Sequence, residues 1–174
     1  MKNVKLAAVS AVVMGALLAS AGVNAADPVT LNITGNVVAS PCQISSDSVT
    51  KSVDLGQSIQ ASSLQTAASS TDWVNFDIGL TSCPAGTTKA IMTVHGTEDA
   101  LSTGDLYKST GTATNLGVQL QSQAGDQLGD GKSLTGTIAS NAYTYKLRAR
   151  AYSTNGGVTP GTIISVVTAT FVYQ

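Results

Sequence analysis

Apolar and polar residues alternate in short segments along most of the chain, and turns rich in Gly, Asn and Asp separate these segments. Alternation with a period of two is typical of strands that bury one face. Residues 143–152 are the clearest case: tyrosine, leucine and alanine occupy the odd positions, and the even positions include Lys146, Arg148 and Arg150. We therefore predict a half-buried antiparallel strand there, with a solvated face that carries positive charge.

Other segments have strand-like composition, whereas a sustained helical period is absent from the sequence. Residues 58–70, rich in Ala, Ser and Gln, predict at most one short helical turn. The remaining predicted strands are residues 29–38, 49–55, 73–80, 89–95, 116–121, 132–138 and 162–174. About seven or eight short strands at this spacing favour an all-β, immunoglobulin-like sandwich.

The last predicted strand, residues 162–174, consists largely of β-branched and aromatic residues and contains no charge and no proline. A strand this apolar at a free sheet edge invites another strand to pair with it. We expect it to be buried or to serve as an assembly site. Which of its faces points inward is open, because Ile164, Val166 and Val172 are as apolar as their alternating neighbours.

The first predicted strand, residues 29–38, alternates strictly and precedes the first cysteine. Glycine on the apolar face of a strand often marks the close approach of another chain. One hypothesis is that this strand is donated to the next subunit, which would build a head-to-tail filament. The alternative is that it pairs within its own chain. The residues of its apolar face are Val29, Leu31, Ile33, Gly35 and Val37.

Residues 1–25 have the order of a secretory signal peptide: a basic start, an apolar core at 6–19 and a small-residue cleavage site at 23–25. A transmembrane anchor is the alternative, but the uncharged stretch is short for a bilayer and no basic cluster follows it. We expect no membrane span in the mature chain. Export implies an oxidising compartment, so a disulfide between Cys42 and Cys83 is the default expectation, with free thiols or a metal pair as the alternative.

Composition argues against several classes of function. The formal net charge of −1 provides no basic patch for nucleic acid. His95 is the only histidine, and its place in a predicted strand suits a structural role better than that of a general base. Asp126 and Asp130 lie in a glycine-rich turn that lacks the closing glutamate of a calcium loop. We expect no catalytic site, no metal and no cofactor.

Taken together, these marks resemble the pilins of the chaperone–usher pathway, the type 1 fimbrial subunits of Gram-negative bacteria. The marks are the signal peptide, the alternating extension with its glycine, Cys42, Cys83 about forty residues later, Gly161, and Tyr173 as the penultimate residue. The local sequences at 37–42, 82–84 and 155–157 are most similar to those of the small tip-adaptor subunit. The resemblance covers the chain from the end of the signal peptide.

The resemblance implies an incomplete immunoglobulin-like sandwich that lacks its last strand and is completed by donor-strand complementation. Residues 1–25 would be the signal peptide, 26–41 the donor-strand extension and 42–174 the pilin domain. The implied partners are a periplasmic pilus chaperone, an outer-membrane usher, neighbouring pilin subunits and a tip adhesin. The protein would be exported through the periplasm to a fimbria on the cell surface.

The resemblance also assigns residues to roles. The donor strand would carry Val29, Leu31, Ile33, Gly35 and Val37. The Gln174 carboxylate would anchor to the chaperone. The acceptor groove and chaperone-binding strand would comprise Gly161, Val167, Ala169, Phe171, Tyr173 and Gln174.

The function implied is that of a structural subunit of an adhesive fimbria, a minor tip adaptor that polymerises by donor-strand exchange. A major rod pilin is one alternative, and a free sugar-binding adhesin module is another of a different class. Fimbrial adhesins carry an extra N-terminal binding domain, and Cys42 follows the cleavage site too closely to leave room for one.

Overall fold

The computed structural model describes residues 29–102 and 104–174, so the predicted signal peptide lies outside the described residues. The chain divides into two units, residues 1–36 and 37–174. In the first unit, the described residues 29–36 have exposed side chains and belong to no helix or strand. None of the described helices is long and apolar enough to cross a bilayer.

The second unit is built almost entirely of strands. Its helical segments are a short α-helix, α1 (Ser46–Val49), and a 3-10 helix at Ala61–Leu64. The strands found in the described part of the chain are β1 (Gln43–Ile44), β2 (Ser69–Ser70), β3 (Val74–Thr81), β4 (Lys89–Gly96), β5 (Leu106–Lys108), β6 (Gly117–Ser122), β7 (Ser133–Thr137), β8 (Tyr143–Ser153) and β9 (Val167–Tyr173).

The strands form two antiparallel sheets. The first has the order β1-β3-β8-β6-β5, with β2 also paired to β8, and the second has the order β7-β4-β9. In an immunoglobulin sandwich the strands A, B, E and D form one sheet and C, F and G form the other. The order β1-β3-β8-β6 matches A-B-E-D, and β4-β9 matches C-F. Among the described residues, no strand occupies the G position beside β9.

The alternation in β8 fixes which of its faces is buried. Tyr145, Leu147 and Ala149 are buried in the main core, whereas the cationic positions between them stay at least partly exposed. The Tyr145 hydroxyl donates a hydrogen bond of 2.6 Å to the Ala90 carbonyl, which ties β8 to the opposite sheet. Burial of an aromatic ring whose polar tip is paired favours this packing, and the predicted half-buried strand is confirmed.

The strand predicted at residues 49–55 is wrong, the last predicted strand is shorter than expected, and residues 29–38 do not pair within the described chain. Residues 29–38 and 49–55 form no strand. In the second segment the Asp54 carboxylate accepts hydrogen bonds from the Gly56 N–H and the Gln57 amide, so turn chemistry overrides the apolar residues. The last strand begins at Val167 because the residues before it bond to a different part of the chain.

Cys42 and Cys83 form a disulfide, which links the start of β1 to the residues just after β3. Asn141 secures this corner, since its carbonyl accepts from the Cys83 N–H at 2.9 Å and its side-chain amide donates to the Cys83 carbonyl at 2.8 Å. Asn141 has a φ of 61°, a left-handed conformation that asparagine tolerates better than most residues. The disulfide therefore lies within the folded unit, and the segment before Cys42 remains outside the closed loop.

Candidate functional site

The open edge of β9 is the most unusual feature of the fold. β9 pairs with β4 on one side, with Ala90 opposite Tyr173 and Gly96 opposite Val167. Lys89, the first residue of β4, and Gln174, which follows β9, exchange both N–H···O bonds at 2.9 Å. Bonded and non-bonded pairs alternate in an antiparallel ladder, so every second residue of β9 bonds to β4 and the residues between them do not.

The backbone groups on the open edge therefore belong to the other alternate set of residues. Their N–H and C=O groups point away from β4, to the side where the described chain supplies no strand. An exposed row of such groups is a template for pairing with another strand. These residues are Val167, Ala169, Phe171 and Tyr173.

The same four residues turn their side chains inward. They pack against the main core but are only half-buried. The Phe171 ring lies 5.9 Å from the ring of Tyr145 and 6.5 Å from that of Tyr173, measured between centroids. Ile164, Val166 and Val172 are exposed. The structure therefore shows which face of the last strand points inward, a question that the sequence left open.

The four inward-facing side chains of β9 carry no ionised group. Burial raises the pKa of Tyr173 above its ordinary value. Burial is also the main cause that raises the pKa of Tyr145, with nearby Tyr143 as a smaller contribution. Both phenols are therefore neutral at physiological pH. An apolar, uncharged surface beside free backbone groups suits a strand with apolar side chains rather than a charged small molecule.

Other apolar residues around the same core are also incompletely covered. Phe76 and Ile78 of β3, and Val53 and Leu55 before it, pack against the main core but remain partly accessible. In a complete sandwich, the inner faces of both sheets interdigitate and exclude water. The apolar core formed by the described residues is therefore incompletely shielded from solvent.

A cleft of about 620 Å³ lies at the C-terminal end of β9. It is lined by residues 37–40, residues 85–87, Tyr173 and Gln174, all within the second unit. The Thr87 hydroxyl donates a 3.0 Å hydrogen bond to the Ser40 carbonyl, which holds the segment before Cys42 against the loop between β3 and β4. The Gln174 carbonyl accepts from the Thr88 and Lys89 N–H groups at 2.6 and 2.9 Å, so the end of β9 is anchored to the start of β4.

Gly161 lies outside the open edge, six residues before β9 begins. A Cβ atom at this position would come within 2.3 Å of the Ala113 backbone nitrogen. The Thr162 carbonyl accepts from the Ala113 N–H at 3.1 Å, and the Ile164 carbonyl accepts from the Thr110 N–H at 2.7 Å. These contacts explain the glycine by close backbone packing. The sequence signal that could have revealed these contacts is the recurrence of threonine in the two segments, since Thr112 lies within hydrogen-bond distance of Thr162 and Thr114 of Thr159.

The residues expected to form the donor strand have no partner within the described chain. Ile33 is 91% exposed and Val37 is 99% exposed. A Cβ atom built on Gly35 has no neighbour within 4 Å. The alternative that this segment pairs within its own chain is therefore not what the structure contains. An amphipathic strand sequence without a partner and a sheet edge without a strand occur in the same polypeptide.

His95 and the two aspartates of the glycine-rich turn, Asp126 and Asp130, are engaged in local structure. The Asp130 carboxylate accepts from the Gly96 N–H at 2.9 Å and lies 3.6 Å from His95 Nδ1. The Asp126 carboxylate accepts from the Ser122 hydroxyl at 2.6 Å. Within residues 29–102 and 104–174, no cluster of three or more His, Cys, Asp or Glu side chains has the arrangement of a metal site.

Comparison with known proteins gives a consistent result. The family model described as "Fimbrial protein" matches residues 31–174. Protein FimG of Escherichia coli strain K12 is 39% identical over 159 residues, which cover 90% of this chain and 91% of FimG. The type-1 fimbrial protein A chain of the same strain is 32% identical over 181 residues, covering 99% of this chain and 98% of that protein. The crystal structure of the P pilus rod subunit PapA superposes with a TM-score of 0.67 at 23% identity, covering 78% of this chain and all of PapA.

Proposed function

The chain belongs to the fimbrial protein family, and from that premise we propose that the open edge of β9 accepts a strand from a neighbouring subunit. The protein is an exported structural subunit of a surface fimbria, not an enzyme, and it polymerises with other subunits. The single observation that carries the proposal is the vacancy beside β9. Free backbone groups and inward apolar side chains coincide there, at the position of the missing strand.

The donor in this proposal is the extension, residues 26–41, of the next subunit. An immunoglobulin-like sheet is antiparallel, so the inserted strand runs antiparallel to β9. Residues directly opposite each other then share one face, and the apolar donor positions face the core. Every shift of the donor by two residues keeps this rule, and two of these registers place Val29 or Leu31 opposite Tyr173. They place Gly35 opposite Val167 or Ala169, respectively.

The energetic argument supports a long-lived joint. Val29, Leu31, Ile33 and Val37 are largely exposed before insertion, and burying each such side chain contributes about 1.5–3 kcal/mol. Backbone bonds to the edge add roughly 0.5–1.5 kcal/mol each. The sum offsets an association cost of about 4–15 kcal/mol. Because the interface is head-to-tail, it generates a filament rather than a closed oligomer.

We further propose that a periplasmic chaperone covers the same edge before assembly and that an outer-membrane usher receives the complex. An unpaired apolar edge strand promotes aggregation. This supports the need for a chaperone that shields β9 until the next subunit inserts its strand. In this proposal Gly161, β9 and the Gln174 carboxylate are the chaperone-binding part of the chain. Residues 42–174 are the pilin domain that the chaperone holds.

A minor tip adaptor is the position we propose within the fimbria. The local sequences at 37–42, 82–84 and 155–157 support it, as does the higher identity to FimG, 39%, than to the type-1 A chain, 32%. Immunogold labelling tests the position: label confined to fimbrial ends supports the adaptor, and label along the whole length contradicts it.

Deleting residues 26–38 tests the donor role. We expect the shortened subunit to fold and to bind its chaperone, because residues 29–38 contribute no strand to its own sheets, but to fail to insert into a neighbouring subunit. Replacing the outward-facing Thr30, Asn32 and Thr34 with serine is the matched control and should preserve insertion. Normal incorporation of the shortened subunit into fimbriae would contradict the proposal.

A further inference from the structure

The outer face of the first sheet carries a cluster of cations and aromatic rings. Arg148 and Arg150 of β8 lie beside Trp73, which immediately precedes β3. Their guanidinium carbons are 4.5 and 4.2 Å from the centre of the Trp73 ring, and Arg150 is 5.5 Å from the ring centre of Tyr152. We name Trp73, Arg148, Arg150 and Tyr152 the arginine patch.

The hydrogen-bond partners of the two arginines are neutral. Arg150 Nε donates to Gln119 Oε1 at 2.8 Å, and Arg148 Nη2 donates to Gln121 Oε1 at 2.9 Å. Both glutamines are buried. A guanidinium has five N–H donors, and Arg148 Nε is shielded from solvent without a hydrogen-bond partner. The described protein therefore satisfies only part of the donor capacity of this patch.

The arginine patch has no anionic partner among the described residues. Lys146, the preceding outward cation of β8, lies 3.3 Å from the Asp77 carboxylate. Neither Arg148 nor Arg150 forms a salt bridge with any described residue. Burial is the main cause that lowers the pKa of Arg150; Tyr152 partly opposes this shift, and the adjacent positive charge of Arg148 adds a smaller lowering. Two neighbouring guanidiniums, partly desolvated and paired only with amides, form a site that gains from an added negative charge.

We propose that the arginine patch binds the carboxylate of an acidic sugar. Guanidinium groups bind carboxylates through paired, charge-assisted hydrogen bonds, and two guanidiniums are available side by side. Trp73 and Tyr152 supply apolar ring surfaces beside the charge, which suits a sugar ring more than a bare anion. The half-buried positions of both arginines favour a small ligand over the flat surface of another protein. This binding is additional to the structural role and involves the sheet opposite to that of β9.

Trp73 provides a direct readout because it is the only tryptophan in the chain. A ¹⁵N-labelled chain gives a single indole signal, whether it is alone or in complex with an unlabelled strand donor. We expect N-acetylneuraminic acid and glucuronic acid to shift this signal saturably. The Arg150→Gln variant should bind roughly tenfold to a hundredfold more weakly, as expected for one lost charge-assisted hydrogen bond. Lys146→Gln is the matched control and should bind like the wild type.

Further arms of the experiment decide between ligand classes. Glucose should produce no saturable shift, and acetate should bind at least tenfold more weakly than the acidic sugars. The proposal would be overturned by either of two binding results: acetate binds as tightly as the acidic sugars, or a glutamate-rich peptide binds more tightly than they do. It would also be overturned if neither acidic sugar shifts the indole signal, or if Lys146→Gln weakens binding as much as Arg150→Gln does. Arg150→Lys retains the charge and removes the planar fork, so it serves if Arg150→Gln does not fold. It too should weaken binding, and unchanged affinity would contradict the proposal.

Discussion

Truncation of one donor side chain, Ile33→Ala, tests the strand-insertion proposal most directly. Ile33 is 91% exposed in the subunit that carries it, so its removal should leave the folding of that subunit unchanged. In the proposed joint the same side chain faces the core of the neighbouring subunit. The substitution therefore separates the stability of the subunit from the stability of the contact between subunits.

The expected magnitude follows from the change in burial. Replacing a fully buried isoleucine with alanine costs about 2–5 kcal/mol, which includes lost transfer energy and the cavity left behind. At about 1.4 kcal/mol for each factor of ten, the dissociation constant of the joint should rise by roughly 30-fold to several thousandfold. The neighbouring Thr34 faces outward in either register, and Thr34→Ala should change affinity by about twofold or less, as is usual for surface substitutions.

The assay uses synthetic peptides of residues 26–38 and a subunit that lacks this extension. Three fluorescent peptides, wild type, Ile33→Ala and Thr34→Ala, are titrated with the subunit, and binding is followed by anisotropy. In parallel, thermal unfolding of the full-length subunit is recorded with and without the Ile33→Ala substitution, with the subunit bound to its chaperone so that its open edge accepts no second subunit. The peptide measurement reports on the joint, and the unfolding measurement reports on the subunit itself.

Two results would refute the reasoning. Equal affinities of the Ile33→Ala and Thr34→Ala peptides would show that the two faces of the extension are not distinguished by the acceptor. A lower unfolding temperature of the full-length Ile33→Ala subunit would show that Ile33 packs within its own chain.

Two further predictions concern glycines. Gly35→Ile should slow insertion of the extension by roughly tenfold or more, because overpacking a closed core costs about 1–3 kcal/mol. Asn36→Ile is the control and should have little effect, because this residue lies on the outward face. Insertion rates are measured with a chaperone-bound acceptor, and equal rates for the two variants would exclude the proposed orientation of the strand. Gly161→Ala should destabilise the subunit by about 1–3 kcal/mol in chemical denaturation, since the new Cβ would lie 2.3 Å from a backbone nitrogen that no side-chain rotation can move. Gly35→Ala, with no atom within 4 Å of its Cβ, is the control, and equal stability of the two variants would contradict this account of Gly161.

Several elements were predictable from the sequence because local pattern and tertiary environment agree. The alternation at residues 143–152 corresponds to β8, and the segments 73–80 and 89–95 correspond closely to β3 and β4. The short helical turn expected within residues 58–70 is the 3-10 helix at Ala61–Leu64. The short strands β1, β2 and β5 had no signal, since two or three residues cannot display a period.

Residues 29–38 are a different case. Their alternation is as strict as that of β8, yet they pair with no strand of the described chain. A strand requires a partner for its backbone groups, and alternation specifies only which face will be buried once a partner exists. Of the two alternatives that the sequence left open, pairing within the chain is not found in the described residues, and donation to a neighbouring subunit stays a prediction.

The sequence by itself determined that the chain is β-rich, which faces of its longer strands are apolar, and that its first and last apolar segments are suited to pairing. Only the tertiary structure decided which alternate set of residues in β9 points inward, because both sets are apolar and the choice depends on the register with β4. The structure alone also brought Arg148 and Arg150 beside Trp73, since contacts between strands depend on sheet order, and hydrophobic alternation along one segment contains no information about its neighbours.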